Sequence, residues 1–344
     1  MTTLATADAA VPEAEARRSG GRRSYGRYVL GKVAGSAASL AFVVVLNFFL
    51  FRVLPGDPAR TLGRGRLNTP EAIAEFNKTY GLDQPLPQQF VTYLGNLLHG
   101  DMGLAISTRA PVSQLILDRM WPTLLLVGTS TVLATLLGVW LGMNQAWKRG
   151  SFFDKSTTWT SLVLYSMPEW WLGMVLIALL ASGVGPFLGW FPTGGLHTDA
   201  ANPTVLDTVW HLTLPVITLT LAYLADYSLI MRSSLLDELG EDYLTTARAK
   251  GLRDLQVRNR HAARNALLPT TTLIALNLGF VVAGAITVET VFSIPGLGLL
   301  AVEGLRGPDL WLLQGTFLVA SAGVILANLV ANLLYGLLDP RVRV

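Results

Sequence analysis

The chain has 344 residues, of which 51% are hydrophobic and only 14% are charged, whereas a soluble domain carries about a quarter of charged residues. This deficit, together with a mean hydropathy of +0.45, predicts that lipid is the main solvent of the protein. The formal net charge of +3 is too small to indicate nucleic-acid binding, and the absence of cysteine excludes disulfides, thiolate metal sites and thiol nucleophiles.

The first 27 residues form a segment of their own. Residues 1–16 are rich in Ala, Thr and Glu without useful periodicity, and five arginines then follow among serines and glycines. This composition predicts a disordered basic cytosolic tail over 1–27. The apolar run after it is longer than the core of a signal peptide and ends at no small-residue cleavage site, so we expect the tail to be retained.

Six apolar stretches are long enough to cross a bilayer, whose hydrocarbon core of about 30 Å requires roughly 20 residues of helix. Before the first of them is extended, only Glu169 and Asp226 place a charge inside these stretches. The stretches are 33–51, which we extend to a first transmembrane helix over 28–54, then 121–147, 156–182, 211–231, 266–288 and 311–338. The sequence therefore predicts an all-α polytopic membrane protein.

The distribution of Lys and Arg sets the orientation of these spans. With the N-terminus inside, the inner segments hold 18 of the 26 basic residues, and the other eight face outward, mostly in one long loop. We therefore expect both termini, including a short C-terminal segment 339–344, to be cytosolic.

The long outer loop, 55–120, carries two helix patterns. Thr69-Pro70-Glu71 is typical of a helix start and predicts a helix over 71–80 that ends at Gly81. A second helix, over 87–98, has an apolar face. We interpret the loop as a small helical extracytoplasmic insertion that rests on the membrane, with a structured linker as the alternative.

The polar segment 233–268 between the fourth and fifth spans is the other patterned loop. Gly240 interrupts the helix that leaves the fourth span, and acidic residues then stand at a helix N-terminus and basic residues at its end, as the helix dipole favours. Gly251 is a natural stop for this helix of about ten residues. Its small residues would let another protein approach closely, whereas a helix lying on lipid headgroups would carry large apolar residues along one face. We therefore favour docking of a soluble protein.

The same loop resembles the ATPase-docking loop of dipeptide and oligopeptide ATP-binding cassette importer permeases. The resemblance lies in EDYLTTARAKGL at 241–252 and HAARNALLP at 261–269, with Thr245 where the general importer pattern has Glu. Further matching motifs follow in the same order: PGDP at 55–58, YGLDQPL at 80–86, GDMG at 100–103, ETVFSIPGLG at 289–298 and LDPR at 338–341. Asn332 stands where the family usually has Asp. Over about 28–344 the chain thus resembles the B-type permease subunit.

This resemblance implies a type I importer permease fold of six transmembrane helices, with a five-helix permease core over 121–338 that carries the coupling loop 233–268. It also implies a complex with a second permease subunit, two cytosolic ATPase subunits and an extracytoplasmic substrate-binding protein, in the plasma membrane of a prokaryote. The chain lacks a G-x-x-x-x-G-K-[ST] loop, so we expect it to be no enzyme and to hold no cofactor, with ATP and Mg²⁺ bound by the ATPase subunits.

Two sets of site residues follow. The resemblance implies a coupling helix that meets the ATPase, and the intramembrane polar residues suggest a pathway lining. Glu169 would meet a substrate amino group or, as the alternative, make a structural hydrogen bond where Pro168 breaks the helix; we expect Asp226 to reach toward the cytosolic interface. The coupling set is Glu241, Asp242, Tyr243, Thr245, Thr246, Ala247, Arg248, Ala249, Lys250 and Gly251, and the pathway set is Glu169, Trp170, Asn277 and Glu289.

Packing is the favoured role for the remaining intramembrane features, the asparagines within the spans and the G-x-x-x-G match at Gly138 and Gly142. Peptides are the leading substrate by resemblance, with oligosaccharides or nickel as alternatives within the same architecture. An ion-coupled secondary transporter is the remote alternative, because the two halves show no convincing repeat. An intramembrane enzyme has little support, since the four histidines include no pair at helical metal spacing.

Overall fold

The computed structural model of the chain describes residues 25–53, 69–79, 81–183, 189–271, 274 and 285–338. Most of the predicted tail, residues 54–68, most of the predicted fifth span with Asn277, and residues 339–344 lie outside this part. Within it the regular structure is helical and includes no β-strand. The helices are α1 Tyr25–Val53, α2 Pro70–Thr79, α3 Leu86–Leu98, α4 Val112–Trp147, α5 Phe152–Ser166, α6 Glu169–Leu180, α7 Val205–Glu238, α8 Asp242–Ala249, α9 Ile286–Val291, α10 Leu297–Arg306 and α11 Leu310–Leu338.

Four of the described helices, α1, α4, α7 and α11, are long and apolar enough to cross a membrane, and α5 with α6 makes a fifth candidate if the pair is counted as one span. All five coincide with stretches predicted from the sequence. The remaining predicted span, the fifth in chain order at 266–288, lies mostly outside the described residues, so the total of six spans stays a prediction.

The third predicted span is not the continuous helix expected over 156–182, because α5 and α6 meet at an angle of 107°. Pro168 causes the break. It has no amide proton to donate, and its ring disfavours a helical conformation at the preceding residue. Met167 is accordingly extended, with φ −85° and ψ 129°.

Helices α4 and α7 form the centre of the fold and are longer than their predicted spans. At 36 and 34 residues they measure roughly 54 and 51 Å, well beyond the bilayer core of about 30 Å. Each contains a proline, Pro122 in α4 and Pro215 in α7, without ending there. The segment from Val112 to residue 120, which we had placed in the outer loop, belongs to α4.

Close approach of α4 and α7 depends on glycine, as the G-x-x-x-G match suggested. A Cβ atom on Gly142 would stand 2.5 Å from the Ser228 carbonyl oxygen and 2.8 Å from the Met231 Cβ, and one on Gly138 would stand 2.7 Å from the Tyr227 Cβ. Real carbon atoms do not approach so closely, so these two positions let the helices pack backbone to backbone.

A partly buried ion pair joins α5 to α7 near the last turns of α7. Arg232 donates to both oxygens of Asp154, from Nε at 2.8 Å and from Nη2 at 3.2 Å. The Asp154 carboxylate also accepts from the Gly150 amide at 2.9 Å and from the Thr158 hydroxyl at 3.2 Å. With this number of donors the carboxylate is fully satisfied although its side chain is only 4% exposed.

The two predicted loop helices are present as α2 and α3, and α3 packs on the C-terminal end of α1 through aromatic rings. The Phe48 ring lies 5.0 Å from Phe90 and 5.5 Å from Tyr93 between centroids. Asn47 donates to the Gln314 carbonyl at 3.0 Å, which joins α1 to α11 at the same level. We call α2 with α3 the cap; it lies at this end of the α1–α11 pair, where Asn77 of α2 lines a cavity together with Arg52 and Trp311.

Candidate functional site

Helix α8 is a short element with defined ends. Glu241 precedes it in an extended conformation, Asp242 stands in its first turn, and Arg248 in its last, so the charges complement the helix dipole. Gly251 adopts φ +79° and donates to the Arg248 carbonyl at 2.9 Å, which stops the helix where we predicted. Its eight residues span about 12 Å, slightly less than expected.

Two side chains seat α8 on the rest of the protein. Leu244 is fully buried and Ala247 is 6% exposed, and both belong to one apolar cluster with Ala146 at the end of α4 and with Met231 and Leu235 at the end of α7. Leu244 and Ala247 lie three positions apart and so share one face of the helix. The inclusion of Ala247 among residues that meet a partner is thus corrected, because its side chain packs against the chain's own core.

The opposite face of α8 is polar and open to solvent. A helix lying on lipid headgroups would expose large apolar side chains along one face. No large apolar side chain of α8 is exposed. The exposed residues of the predicted coupling set are Glu241, Asp242, Thr245, Thr246, Arg248, Ala249, Lys250 and Gly251.

Tyr243, another member of the predicted set, is half-buried and connects three elements. Its hydroxyl donates to the Glu238 carboxylate at the end of α7, and Asn265 donates to the Tyr243 oxygen at 3.1 Å. Burial, and then the hydrogen bond to Glu238, raises the pKa of Tyr243 to about 12. The phenol therefore remains protonated and able to donate throughout the physiological range.

We call the apolar cluster in which Leu244 and Ala247 are buried the α8 seat. A π-helix, Val257–Ala262, forms another side of this seat. Its Val257 and Ala262 are buried in the same cluster as Leu244, and Arg258 donates to the Asn144 side chain of α4 at 3.1 Å. Such π-helical turns occur preferentially at functional sites. No local sequence signal predicts this turn or the parts played by Asn144 and Asn265, because each depends on contacts with distant segments.

Glu169 begins α6 directly after Pro168, at the bend between α5 and α6. Its carboxylate accepts from the Thr287 hydroxyl at 3.3 Å and lies close enough to Asp226 of α7 to interact with it electrostatically. The next residue, Trp170, is 45% exposed.

Glu289 is enclosed, contrary to our assignment of it to the pathway lining. Its side chain is fully buried, and its carboxylate accepts from the Thr123 hydroxyl at 2.8 Å and from the Leu299 amide at 3.0 Å. A side chain at Gly296 would overlap this carboxylate, and a Cβ on Gly298 would stand 3.0 Å from it. The ETVFSIPGLG segment thus folds around its own glutamate, which caps the first turn of α10.

Comparison with known proteins gives two family matches. Residues 134–344 match the family described as binding-protein-dependent transport system inner membrane component, and residues 26–127 match the N-terminal part of the same kind of membrane component.

Individual relatives agree over nearly the whole chain. The dipeptide transport system permease protein DppB of Escherichia coli is 36% identical, with 92% of this chain and 98% of the relative covered. The oligopeptide transport system permease protein AppB of Bacillus subtilis is 34% identical, with 92% and 99% covered. The di/tripeptide transport system permease protein DppB of Pseudomonas aeruginosa is 39% identical, with 88% and 94% covered. The chain therefore belongs to the family of inner-membrane permease components of binding-protein-dependent ATP-binding cassette transport systems.

Proposed function

We propose that this chain is the permease subunit of an ATP-driven importer of di- or oligopeptides and forms half of the translocation pathway. Its relatives are named for dipeptide, tripeptide and oligopeptide transport, and they match the chain over most of their length. These names favour peptides over the oligosaccharides and nickel that the sequence left open.

The observation that carries the mechanism is the seat of α8. A force applied to its exposed face passes through Leu244 and Ala247 directly to the ends of α4 and α7. These two helices are locked together by the contacts at Gly138 and Gly142, so they move as one body. When the ATPases close, they would push α8 and thereby tilt α4 and α7 in the membrane. In this way α8 acts as a coupling helix.

The remaining partners follow from this role. A second permease subunit completes the pathway, and two ATPase subunits hold ATP and Mg²⁺ and carry the enzymatic activity, in a heterotetramer or larger complex. An extracytoplasmic substrate-binding protein delivers the peptide. The α8 face lies in the cytosol with both termini, the cap lies on the outer side of the prokaryotic plasma membrane, and no nucleic acid takes part.

Glu169 and Trp170 are the residues that we propose for the pathway wall, together with Asn277. The Glu169 carboxylate sits at a break in the helix, with Thr287 and Asp226 beside it, and it suits the ammonium group of a peptide. The variant Glu169→Gln should change the order of preference among peptides in uptake assays. Unchanged uptake of every peptide would remove this residue from the pathway.

Reconstitution tests the function as a whole. The chain is assembled in vesicles with its partner permease and ATPases, and uptake of a labelled dipeptide is followed in the presence of the binding protein. Uptake should require ATP and should persist when an ionophore collapses the ion gradients. Loss of uptake with the ionophore, while ATP remains, would instead indicate an ion-coupled secondary transporter.

A further inference from the structure

A cavity of about 600 Å³ lies where the cap meets α1 and α11, and a second of about 320 Å³ adjoins it. Both are lined by Arg52 at the end of α1, by Gln89 of α3, and by Trp311 and Gln314 in the first turns of α11. The larger volume falls within the range of small-molecule sites. The pathway residues Glu169 and Trp170 do not line either cavity.

Arg52 places a positive charge in this cavity. Its guanidinium lies 5.0 Å from the centroid of the Trp311 ring and 5.9 Å from that of Phe48. Its Nε atom is buried and makes no hydrogen bond, and no carboxylate among the described residues forms an ion pair with it. Arg52 is partly buried, and a guanidinium with an unpaired buried N–H can take an oxyanion as its partner through charge-assisted hydrogen bonds.

Neutral polar groups around Arg52 are also unpaired. The described residues contain eight buried side-chain nitrogen or oxygen atoms without a hydrogen-bond partner, and four of them, on Arg52, Gln89, Tyr93 and Gln314, surround this cavity. Gln314 is only 6% exposed. The Tyr93 hydroxyl lies beside the Asn47 and Gln314 amides without the geometry of a hydrogen bond to either. Because a buried polar group gains about 1–3 kcal/mol when it is paired, this cluster is suited to a polar ligand that enters the cavity.

We propose that this cavity binds a short peptide on the outer side of the membrane, with Arg52 as the counter-ion of its terminal carboxylate and Gln314 and Tyr93 as further hydrogen-bond donors. The proposal rests on the proposed peptide function and adds a second substrate site. A guanidinium matches an oxyanion through paired hydrogen bonds, a chemistry that a lipid phosphate shares. The peptide is favoured because Asp101 lines the same cavity together with the cations Arg52 and Lys78, so the cavity presents both signs of charge to a zwitterion.

The test measures binding of labelled alanyl-alanine to the assembled transporter without its binding protein, in nanodiscs of phosphatidylcholine. Arg52→Gln should weaken this binding roughly 10- to 100-fold, as expected for loss of a charge-assisted hydrogen bond. Gln314→Leu should weaken it less. The matched control Arg306→Gln, an exposed arginine at the end of α10, should leave it unchanged. The C-terminal amide of the same dipeptide should bind wild type weakly, and Arg52→Gln should not weaken it further.

Three results would overturn the proposal. The first is equal binding of alanyl-alanine to wild type and to an assembled Arg52→Gln complex, and the second is equal binding of acid and amide by wild type, which needs no variant. The third is an anionic phospholipid that mass spectrometry finds on wild type and not on Arg52→Gln, with peptide binding unaltered. ATP-dependent uptake by wild type, measured in parallel, separates these outcomes from failure of the proposed function itself.

Discussion

The seat of α8 can be weakened at one residue, by the substitution Leu244→Ala. Leu244 is fully buried among side chains of α4, α7 and the π-helix, and Ala247 is the only other buried residue of α8. The substitution removes three carbon atoms, worth about 2.4 kcal/mol at about 0.8 kcal/mol each, and the cavity left behind raises the loss to about 3–5 kcal/mol.

That loss is concentrated in α8, because a helix of eight residues has no stability of its own in water. Detachment of α8 from its seat should become at least about 100-fold more frequent, at 1.4 kcal/mol for each factor of ten. Hydrogen exchange of residues 242–252, followed by mass spectrometry on the assembled complex, should accelerate accordingly. Peptide uptake should fall much more than basal ATP hydrolysis, because the motor remains intact while its grip on α4 and α7 is lost.

The exposed neighbour Thr245→Ala is the matched control for the packing of α8, and it should leave the exchange of 242–252 unchanged. Unaltered exchange and full uptake in Leu244→Ala would refute the reasoning, since they would mean that α8 is held by something other than this seat.

Three further substitutions test the parts around that seat. Tyr243→Phe should accelerate hydrogen exchange in α8 by the same factor at every pH below about 10, because the variant lacks the hydrogen bond to Glu238. The difference from wild type should vanish as the pH rises toward the raised Tyr243 pKa of about 12, since the wild-type phenol then also loses the proton that it donates. Asp154→Asn should lower the unfolding free energy by roughly 1.5–3 kcal/mol, because the buried carboxylate loses its charge-assisted hydrogen bonds from Arg232, whereas the exposed Asp118→Asn should have no effect in the same thermal scan. Gly142→Val should lower the unfolding free energy by about 1–3 kcal/mol or more, because the added side chain would overlap Ser228 and Met231. Gly128→Val, on the same helix with open space around it, is the control and should be neutral. Equal stability of the two valine variants would contradict the close approach of α4 and α7.

The sequence predicts the elements of this fold well where the signal is local. Length and hydropathy locate α1, α4, α7 and α11, and Gly251 ends α8 because its left-handed conformation is a local property. Thr69-Pro70-Glu71 likewise marks the start of α2 to within one residue. The G-x-x-x-G match also predicts its contact correctly, since two glycines one turn apart leave a groove for a neighbouring helix.

Other features depend on tertiary contacts and escape such reasoning. Pro168 predicts a break in the helix, but the angle of 107° between α5 and α6 depends on the segments against which they pack. The orientation of Ala247 follows from the position of α8 against two distant helices, and the burial of Glu289 follows from the return of the chain at Gly296 and Gly298. The small size of Ala247 predicts that another surface can approach it, but residue size alone does not identify which face of α8 is buried.

Contact between α8 and an ATPase subunit is the central claim, and the absence of cysteine from the chain makes it directly measurable. A single cysteine at Thr246, on the exposed face, should form a crosslink to an ATPase subunit with a short bifunctional reagent, and the yield should change when ATP is added. A cysteine at Val205, which is 82% exposed at the start of α7, should give no such crosslink, because it lies at the opposite end of that helix. A fully active complex in which the Thr246 position forms no crosslink, while the ATPases attach to another part of the chain, would contradict the account.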